Sequence, residues 1–132
     1  MYRRVLIIED EATLRRVMVR NLAGRGLIVY EAATAAEAVA VALDERPDLL
    51  LLDINLPDRT GWDVLRELRD RGFTPPTVVV SAVRVSQGRL AEFAPLAYLP
   101  KPFPLEALLR IVQGRSRLVE GGELGMVTGK GV

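Results

Sequence analysis

Five short apolar segments, separated by stretches with helical spacing, dominate this sequence. They cover residues 5–8, 27–30, 48–52, 77–80 and 96–99, and the runs 5–8 and 49–52 are apolar at every position. Such runs are typical of parallel strands covered on both faces, although a short run alone also fits a buried helix. The intervening stretches favour strands for the runs, because they carry apolar residues three and four positions apart.

The ends of the intervening stretches carry helix-capping signals. Thr34 and Glu37 form a capping-box pattern, Thr60 and Asp63 form a weaker one, and Pro104 stands where a first helical residue is expected. Strands that alternate with helices are joined by right-handed crossovers. The sequence therefore predicts an α/β fold, a doubly wound five-stranded parallel sheet of order 2-1-3-4-5 in a flavodoxin-like three-layer sandwich.

Length and composition limit the chemistry. The 132 residues suffice for one domain, and the absence of cysteine and histidine excludes disulfides, thiolate or imidazole metal sites and Ser-His mechanisms. A net charge of +1 gives no general attraction to nucleic acid or to membranes. Because no apolar run is long enough for a membrane span and no signal-peptide pattern is present, we expect a soluble, cytoplasmic protein. Its chemistry must use carboxylates, hydroxyls, Lys, Arg or a bound cation.

The last part of the sequence differs from the rest. We expect a domain over residues 1–114 and a glycine-rich tail or linker stub over 115–132, where no periodicity is sustained. A small hairpin over 118–127 is the alternative. No helix-turn-helix pattern follows residue 114, so we expect no direct binding of nucleic acid by this chain.

Polar side chains follow four of the five predicted strands. Glu9 and Asp10 follow the first strand, Asp53 the third and Ser81 the fourth, while Lys101 comes just after the fifth. The carboxyl ends of parallel strands meet at one edge of a doubly wound sheet, where ligands bind. We therefore expect these side chains to form one site.

Carboxylates brought together in this way repel each other unless a cation joins them. Oxygen ligands without Cys or His favour Mg²⁺, and the Lys101 amine and Ser81 hydroxyl would complete a cradle for a phosphoryl group. Asp53, at the end of the most central strand, is the predicted nucleophile, which would form an acyl phosphate. Taken singly, each residue also fits ordinary loop chemistry, and Asp10 or Glu11 fits a helix cap.

The same residues carry a resemblance to a known family. The stretches that carry it are 5–11, 51–57, Gly61, 81–82 and 98–103. Over residues 3–114 the chain resembles the receiver domain of bacterial two-component response regulators, of the chemotaxis-regulator type. The resemblance implies a phospho-accepting signalling module of a phosphorelay, fed by a histidine kinase or a phosphotransfer protein and acting on a downstream partner that the sequence does not name.

Residue roles follow from the resemblance by position. Asp53 would be the phospho-acceptor. The ligands of Mg²⁺ would be the side chains of Asp10 and Asp53, the backbone carbonyl of Asn55 and, through water, Glu9. Enzymatic activity would be limited to self-phosphorylation from a donor and self-dephosphorylation.

The resemblance also implies a switch. Lys101 would pair with a phosphoryl oxygen, and its bond to Pro102 is expected to be cis. Ser81 would hydrogen-bond the phosphoryl group, and Tyr98 would be the aromatic switch residue. A rotation of the Tyr98 side chain would reshape the face formed by the fourth helix, the fifth strand and the fifth helix.

The segment before the fifth strand departs from the family pattern. The interval from Ser81 to Lys101 is short, and Gly88 and Pro95 disfavour a helix there. We therefore predict an abbreviated or mobile fourth helix. Leu96 makes the neighbouring face more apolar, which predicts that this face forms a homodimer or docks a partner.

Two positions tune self-hydrolysis in the family, and here they hold Asn55 and Val83. Since Val83 offers no hydrogen bond to orient water, we expect a slowly decaying phosphoryl group. Two alternative functions stay open: a pseudo-receiver that acts as an unphosphorylated interaction scaffold, and a phosphohydrolase of the haloacid-dehalogenase type. The second alternative requires an acid two residues after the nucleophile, where this chain has Asn55.

Overall fold

A computed structural model describes residues 2–114, in which strands and helices alternate along the chain. The strands are β1 (Arg4–Ile8), β2 (Ile28–Ala32), β3 (Leu49–Asp53), β4 (Thr77–Ser81) and β5 (Ala97–Pro100). The helices are α1 (Ala12–Ala23), α2 (Ala35–Glu45), α3 (Gly61–Asp70), α4 (Gln87–Phe93) and α5 (Leu105–Val112). All strand pairs are parallel and the order is β2-β1-β3-β4-β5, which confirms the predicted fold.

The sheet separates two apolar layers. Val5 and Ile7 of β1 face a layer that includes residues of α1 and α5, whereas Leu6 and Ile8 face a layer that includes residues of α2 and α3. All of β1 after Arg4 and all of β3 and β4 is buried. Continuous apolar runs are therefore required, since both faces of these strands meet helices.

The observed strands differ from the predicted segments by one or two residues. β2 begins at Ile28 and continues through Glu31 to Ala32, because these last two residues pair with Ile7 and Ile8 of β1. Backbone pairing at this sheet edge thus extends β2 through Glu31, whose charged side chain ends the apolar run in the sequence. Similarly, β5 covers Ala97–Pro100 rather than 96–99.

Asp48 was predicted as the first residue of the third strand, but it precedes β3. Its carboxylate accepts hydrogen bonds from the backbone N–H groups of Arg3 and Arg4, at 3.1–3.2 Å. This side chain therefore ties the start of β1 to the start of β3.

The fourth helix is short, as predicted. α4 has seven residues and none of them is buried. Its last residue is Phe93, and the C-cap residue Ala94, whose φ of 43° lies in the left-handed region, stands immediately before Pro95. Pro104, expected as the first helical residue of α5, lies one position earlier as its N-cap.

The expected tail over 115–132 and its alternative hairpin lie outside the described residues. Within residues 2–114, no helix combines the length and the apolar character that crossing a membrane requires.

Candidate functional site

Three carboxylates from neighbouring strand ends meet at the carboxyl edge of the sheet. Glu9 and Asp10 follow β1, and Asp53 is the last residue of the adjacent β3. One carboxylate oxygen from each residue lies within 4.8 Å of the others. Glu9 and Asp53 are buried whereas Asp10 is exposed, so this acidic cluster opens to solvent on one side.

Lys101 supplies the opposite charge. The residue follows β5, which β4 separates from β3, and its side chain reaches back to the acidic cluster. Its Nζ lies 2.9 Å from Glu9 Oε1 and 3.3 Å from Asp53 Oδ2. The bond between Lys101 and Pro102 is cis, as expected.

Burial and neighbouring charges at the site shift two pKa values. Burial raises the pKa of Glu9, against the hydrogen bond from Lys101 and the backbone N–H of Glu11, which both lower it. Burial by itself would lower the pKa of Lys101, but the hydrogen bond to Glu9 and the negative charge of Asp53 outweigh it and raise that pKa. The amine therefore remains an ammonium at neutral pH.

The loop after β3 is closed tightly at its base, next to Asp53. The N–H of Asn55 donates to Asp53 Oδ1 at 3.1 Å, and the N–H of Gly61 donates to the carbonyl of Ile54 at 2.7 Å. A Cβ on Gly61 would lie 2.8 Å from the carbonyl oxygen of Asp53, so only glycine allows this approach. Asn55 is exposed, and its backbone N–H is bonded to one carboxylate of the cluster.

Ser81 ends β4 and is buried beside the cluster, but its hydroxyl is engaged locally. Ser81 Oγ donates to the carbonyl of Val83 at 2.8 Å and accepts from the N–H of Val83 at 3.1 Å. The hydroxyl of Tyr98, a half-buried residue of β5, donates to the same carbonyl at 3.3 Å. Ser81 and Tyr98 thus share one acceptor, and the structure does not place either hydroxyl against the carboxylates.

The start of α1 shows whether its acidic residues cap the helix or belong to the acidic cluster. Glu11 is the N-cap of α1, but its side chain makes no capping hydrogen bond. Instead Glu9 Oε2 accepts from the N–H of Glu11 at 3.1 Å. Among the described residues, Asp10 makes no hydrogen bond to the helix, which leaves its carboxylate available to the acidic cluster.

An open groove adjoins Lys101. It has a volume of about 550 Å³ and lies between α1 and the chain that leads into α5. The apolar side chains of Leu14, Val17 and Phe103 line it together with Lys101.

Sequence reasoning missed one residue near the site. The carboxylate of Asp58, in the loop between β3 and α3, accepts hydrogen bonds from the first backbone N–H groups of α2. The contact joins residues 22 and 23 positions apart, and no local pattern in the sequence signals it.

The donor set suits a hard cation. Three carboxylates against one ammonium leave the site anionic, and oxygen ligands with one open side are those that Mg²⁺ accepts while it keeps some of its water. Glu9, Asp10 and Asp53 could therefore hold such an ion.

The comparisons with known proteins agree with this geometry. The family model described as the response regulator receiver domain matches residues 5–113. The chain is 38% identical over 116 residues to the KDP operon transcriptional regulatory protein KdpE of Escherichia coli, covering 84% of this chain and 51% of that protein. It is 37% identical over 108 residues to the response regulator MprA of Mycobacterium ulcerans, covering 80% of this chain and 47% of that one. The chain thus spans about half the length of these relatives.

Solved structures show the same fold. A CheY-like response regulator receiver domain protein from Methanospirillum hungatei has a TM-score of 0.77 at 26% identity, over 92% of this chain and 99% of that chain. The chemotaxis response regulator CheY4 of Vibrio cholerae has a TM-score of 0.78 at 25% identity, over 88% of this chain and all of that one. From its fold, its acidic cluster and these matches, the chain belongs to the receiver domains of two-component response regulators.

Proposed function

We propose that Asp53 accepts a phosphoryl group from a histidine kinase or a phosphotransfer protein, and that Mg²⁺ at the acidic cluster supports the transfer. The observation that carries this proposal is the position of Lys101, whose ammonium contacts both Glu9 and Asp53 from across the sheet edge. An ammonium beside a carboxylate cluster neutralises charge where a phosphoryl group would arrive.

Four groups are the proposed metal ligands. Asp10 and Asp53 would bind Mg²⁺ through their carboxylates, Asn55 through its backbone carbonyl and Glu9 through a water molecule. Support comes from the proximity of the three carboxylates and from the exposure of Asp10, which leaves room for water on the ion. When bound, Mg²⁺ would neutralise the charge that gathers on the phosphoryl oxygens.

The proposed reaction is a phosphoryl transfer between nitrogen and oxygen. An Asp53 carboxylate oxygen attacks phosphorus while the P–N bond to the donor imidazole breaks, and its electron pair stays on the imidazole nitrogen. The product is an acyl phosphate on Asp53. Lys101 then exchanges its contact with Asp53 Oδ2 for one with a phosphoryl oxygen, and it stays charged because its pKa is raised.

The proposed switch starts at Ser81. A phosphoryl oxygen is a stronger acceptor than the carbonyl of Val83, so the Ser81 hydroxyl would turn towards it. The loop that follows β4 would move with Ser81, and the shared carbonyl of Val83 would no longer hold the Tyr98 hydroxyl in its present place. Tyr98 would thereby report phosphorylation to the face formed by α4, β5 and α5.

The groove beside Lys101 is the proposed docking place for the phosphoryl donor. Its apolar lining lies next to the acidic cluster, so a helix of a donor seated there would bring a phosphohistidine to Asp53.

We propose a cytoplasmic setting, as for a kinase-fed regulator, and an output through a homodimer or a docked partner at the face of α4, β5 and α5. The domain assignment of 1–114, with 115–132 as tail or linker, remains part of this proposal.

The test is the intact mass of the protein after treatment with acetyl phosphate, with and without Mg²⁺. We expect one added phosphoryl group that requires Mg²⁺ and disappears in Asp53→Asn. The matched control is Asp44→Asn, an exposed aspartate of α2 outside the cluster, which should be phosphorylated like the wild type.

Each alternative function predicts a different result, the first in the same experiment and the second in a separate assay of phosphomonoester hydrolysis. An unmodified protein in every condition would support the interaction scaffold and overturn the proposal. Steady hydrolysis of small phosphomonoesters would support the haloacid-dehalogenase type of activity. The family match does not favour either alternative, and position 55 carries an amide where that hydrolase chemistry requires an acid.

A further inference from the structure

The loop between β3 and α3, residues 54–60, is attached to a helix that contributes no residue to the acidic cluster. Asp58 Oδ1 accepts from the N–H of Ala35 at 2.8 Å and Oδ2 accepts from the N–H of Ala36 at 3.0 Å. Oδ1 also accepts from the N–H of Arg59 at 3.1 Å. Both carboxylate oxygens are therefore committed, and two of their three partners are the first amides of α2.

α2 already has a cap of its own. The Thr34 hydroxyl, at the N-cap position, accepts from the N–H of Glu37 at 3.1 Å. Asp58 is thus a second anchor at the same helix end, supplied by a different segment of the chain. A carboxylate is favoured there because the free N–H groups carry partial positive charge.

The anchored helix end is itself connected to the acidic cluster. The N–H of Glu9 donates to the carbonyl of Ala32, the last residue of β2 before the turn into α2. The end of the strand that leads into α2 is therefore bonded to the backbone of Glu9, and Asp58 attaches the 54–60 loop to the start of the helix that follows.

The other end of the loop is closed at its base. Asn55 pairs with Thr60 in an antiparallel bridge, and Gly61 donates to the carbonyl of Ile54. With its base closed and its tip held by Asp58, the loop leaves the backbone of Asn55 little freedom. This backbone carbonyl is the proposed loop ligand of Mg²⁺, three residues before Asp58.

We infer that Asp58 is a positioning residue of the phosphorylation site: its bonds to the first amides of α2 hold the 54–60 loop so that the Asn55 carbonyl faces the acidic cluster. The inference rests on the proposed function. It predicts that Asp58 sets the affinity for Mg²⁺ and the rate of phosphorylation, although it touches neither the ion nor the phosphoryl group.

The experiment compares Mg²⁺ binding by the wild type, Asp58→Asn, Asp58→Ala and the control Thr34→Ala. Thr34→Ala removes a hydrogen bond from the same helix end without touching the loop. The dissociation constant of Mg²⁺ is measured from the shifts of backbone amide NMR signals during titration with Mg²⁺ alone, and the thermal midpoint of each variant is recorded.

We expect binding to weaken from wild type through Asp58→Asn, which keeps one acceptor oxygen, to Asp58→Ala, by on the order of tenfold at the end of the series. Thr34→Ala should bind Mg²⁺ like the wild type even though its thermal midpoint falls. Rates of acetyl-phosphate labelling should follow the same order as the binding constants.

Two outcomes would overturn different claims. If Thr34→Ala weakens Mg²⁺ binding as much as the Asp58 variants, or if none of them does, Asp58 only stabilises α2 and its positioning role is wrong. If the wild type itself binds no Mg²⁺, the proposed metal site fails, and the inference that depends on it fails too.

Discussion

At the scale of single residues, the site depends on one ammonium among three carboxylates. Lys101 lies 20% exposed between two almost fully buried acids, Glu9 and Asp53. Removing one partner of such a group leaves an unpaired buried charge, which in other proteins costs about 3–5 kcal/mol. The ammonium therefore compensates negative charge that would otherwise be buried without a partner, and it lies where the proposed reaction needs it.

Val83 combines two properties that act on different steps. Its backbone carbonyl accepts hydrogen bonds from Ser81 and Tyr98, while the residue as a whole is 55% exposed. The carbonyl belongs to the proposed switch and does not depend on the side chain. A substitution at this position can therefore change hydrolysis and leave the switch contacts in place.

We expect Val83→Glu to shorten the half-life of phosphorylated protein several-fold, because a carboxylate at this position can orient water towards the acyl phosphate. The half-life is followed by intact mass after the phosphoryl donor is removed. Val83→Leu, which keeps an apolar side chain, should decay like the wild type. Equal half-lives for the glutamate and leucine variants would contradict the prediction.

At the scale of secondary-structure elements, the helix ends carry much of the local order around the site. α3 begins with a complete capping box, in which Thr60 accepts from the N–H of Asp63 and Asp63 accepts from the N–H of Thr60. At α2 the reciprocal bond is displaced, because Glu37 Oε1 binds the N–H of Ala33 instead of Thr34. The Thr60 and Asp63 pattern, the weaker of the two in the sequence, is thus the one that forms both reciprocal hydrogen bonds.

The capping box of α3 predicts a particular dependence of stability on pH. Hydrogen bonds from the backbone and hydroxyl of Thr60 lower the pKa of Asp63 below its ordinary value of 3.8. A lowered pKa in the folded state means that the carboxylate stabilises the protein above pH 3.8, and that this contribution is lost as the pH falls through the lowered value. Asp63→Asn should therefore lower the thermal midpoint at neutral pH and have little effect in strong acid.

The measurement is the thermal midpoint of wild type and Asp63→Asn between neutral and strongly acidic pH. Thr60→Ala serves as the comparison, since loss of this hydroxyl cap should cost about 1 kcal/mol of unfolding free energy at neutral pH. A constant difference between wild type and Asp63→Asn at every pH would show that the charge of Asp63 does not contribute.

At the scale of the whole molecule, α4 is held to α3 by contacts between their side chains. Phe93 stacks on Trp62 of α3, with ring centroids 5.1 Å apart. Glu92 of α4 meets Arg66 at 3.2 Å and Arg69 at 3.9 Å, both in α3, but these groups are more than a third exposed. Exposed ion pairs contribute little, whereas an aromatic pair adds about 0.5–1.5 kcal/mol beyond its buried area. The stack is therefore the stronger of the two attachments.

This attachment makes Trp62 a reporter of the proposed switch, because it is the sole tryptophan of the sequence. If phosphorylation displaces α4, its stacking on Phe93 changes and the fluorescence of Trp62 changes with it. We expect acetyl phosphate with Mg²⁺ to alter the emission of the wild type and leave Asp53→Asn unaltered.

The matched variant for this experiment is Phe93→Leu, which keeps an apolar contact but removes the stacked ring. Its emission should differ from that of the wild type before phosphorylation and respond less to it. Unchanged emission in a wild-type protein shown by mass to be fully phosphorylated would mean that α4 keeps its place against α3.

The sequence by itself determined the sheet and the location of the site. The apolar runs of β1 and β3 required cover on both faces, and the polar residues after the strands had to meet at one edge, because parallel strands end on the same side. The short α4 followed from Gly88 and Pro95 for an equally local reason, the backbone preferences of these residues.

Only the tertiary structure decided which groups bond across that edge. Three such contacts join segments that are distant in sequence or lie in loops. They are the contact of Asp58 with α2, the carbonyl of Val83 shared by Ser81 and Tyr98, and the extension of β2 through Glu31. Periodicity and capping patterns describe neighbours along one element, whereas these bonds depend on how the packed helices set the loops against each other. A hydrogen bond tolerates only a few tenths of an ångström, so it is fixed only once the whole sandwich is assembled.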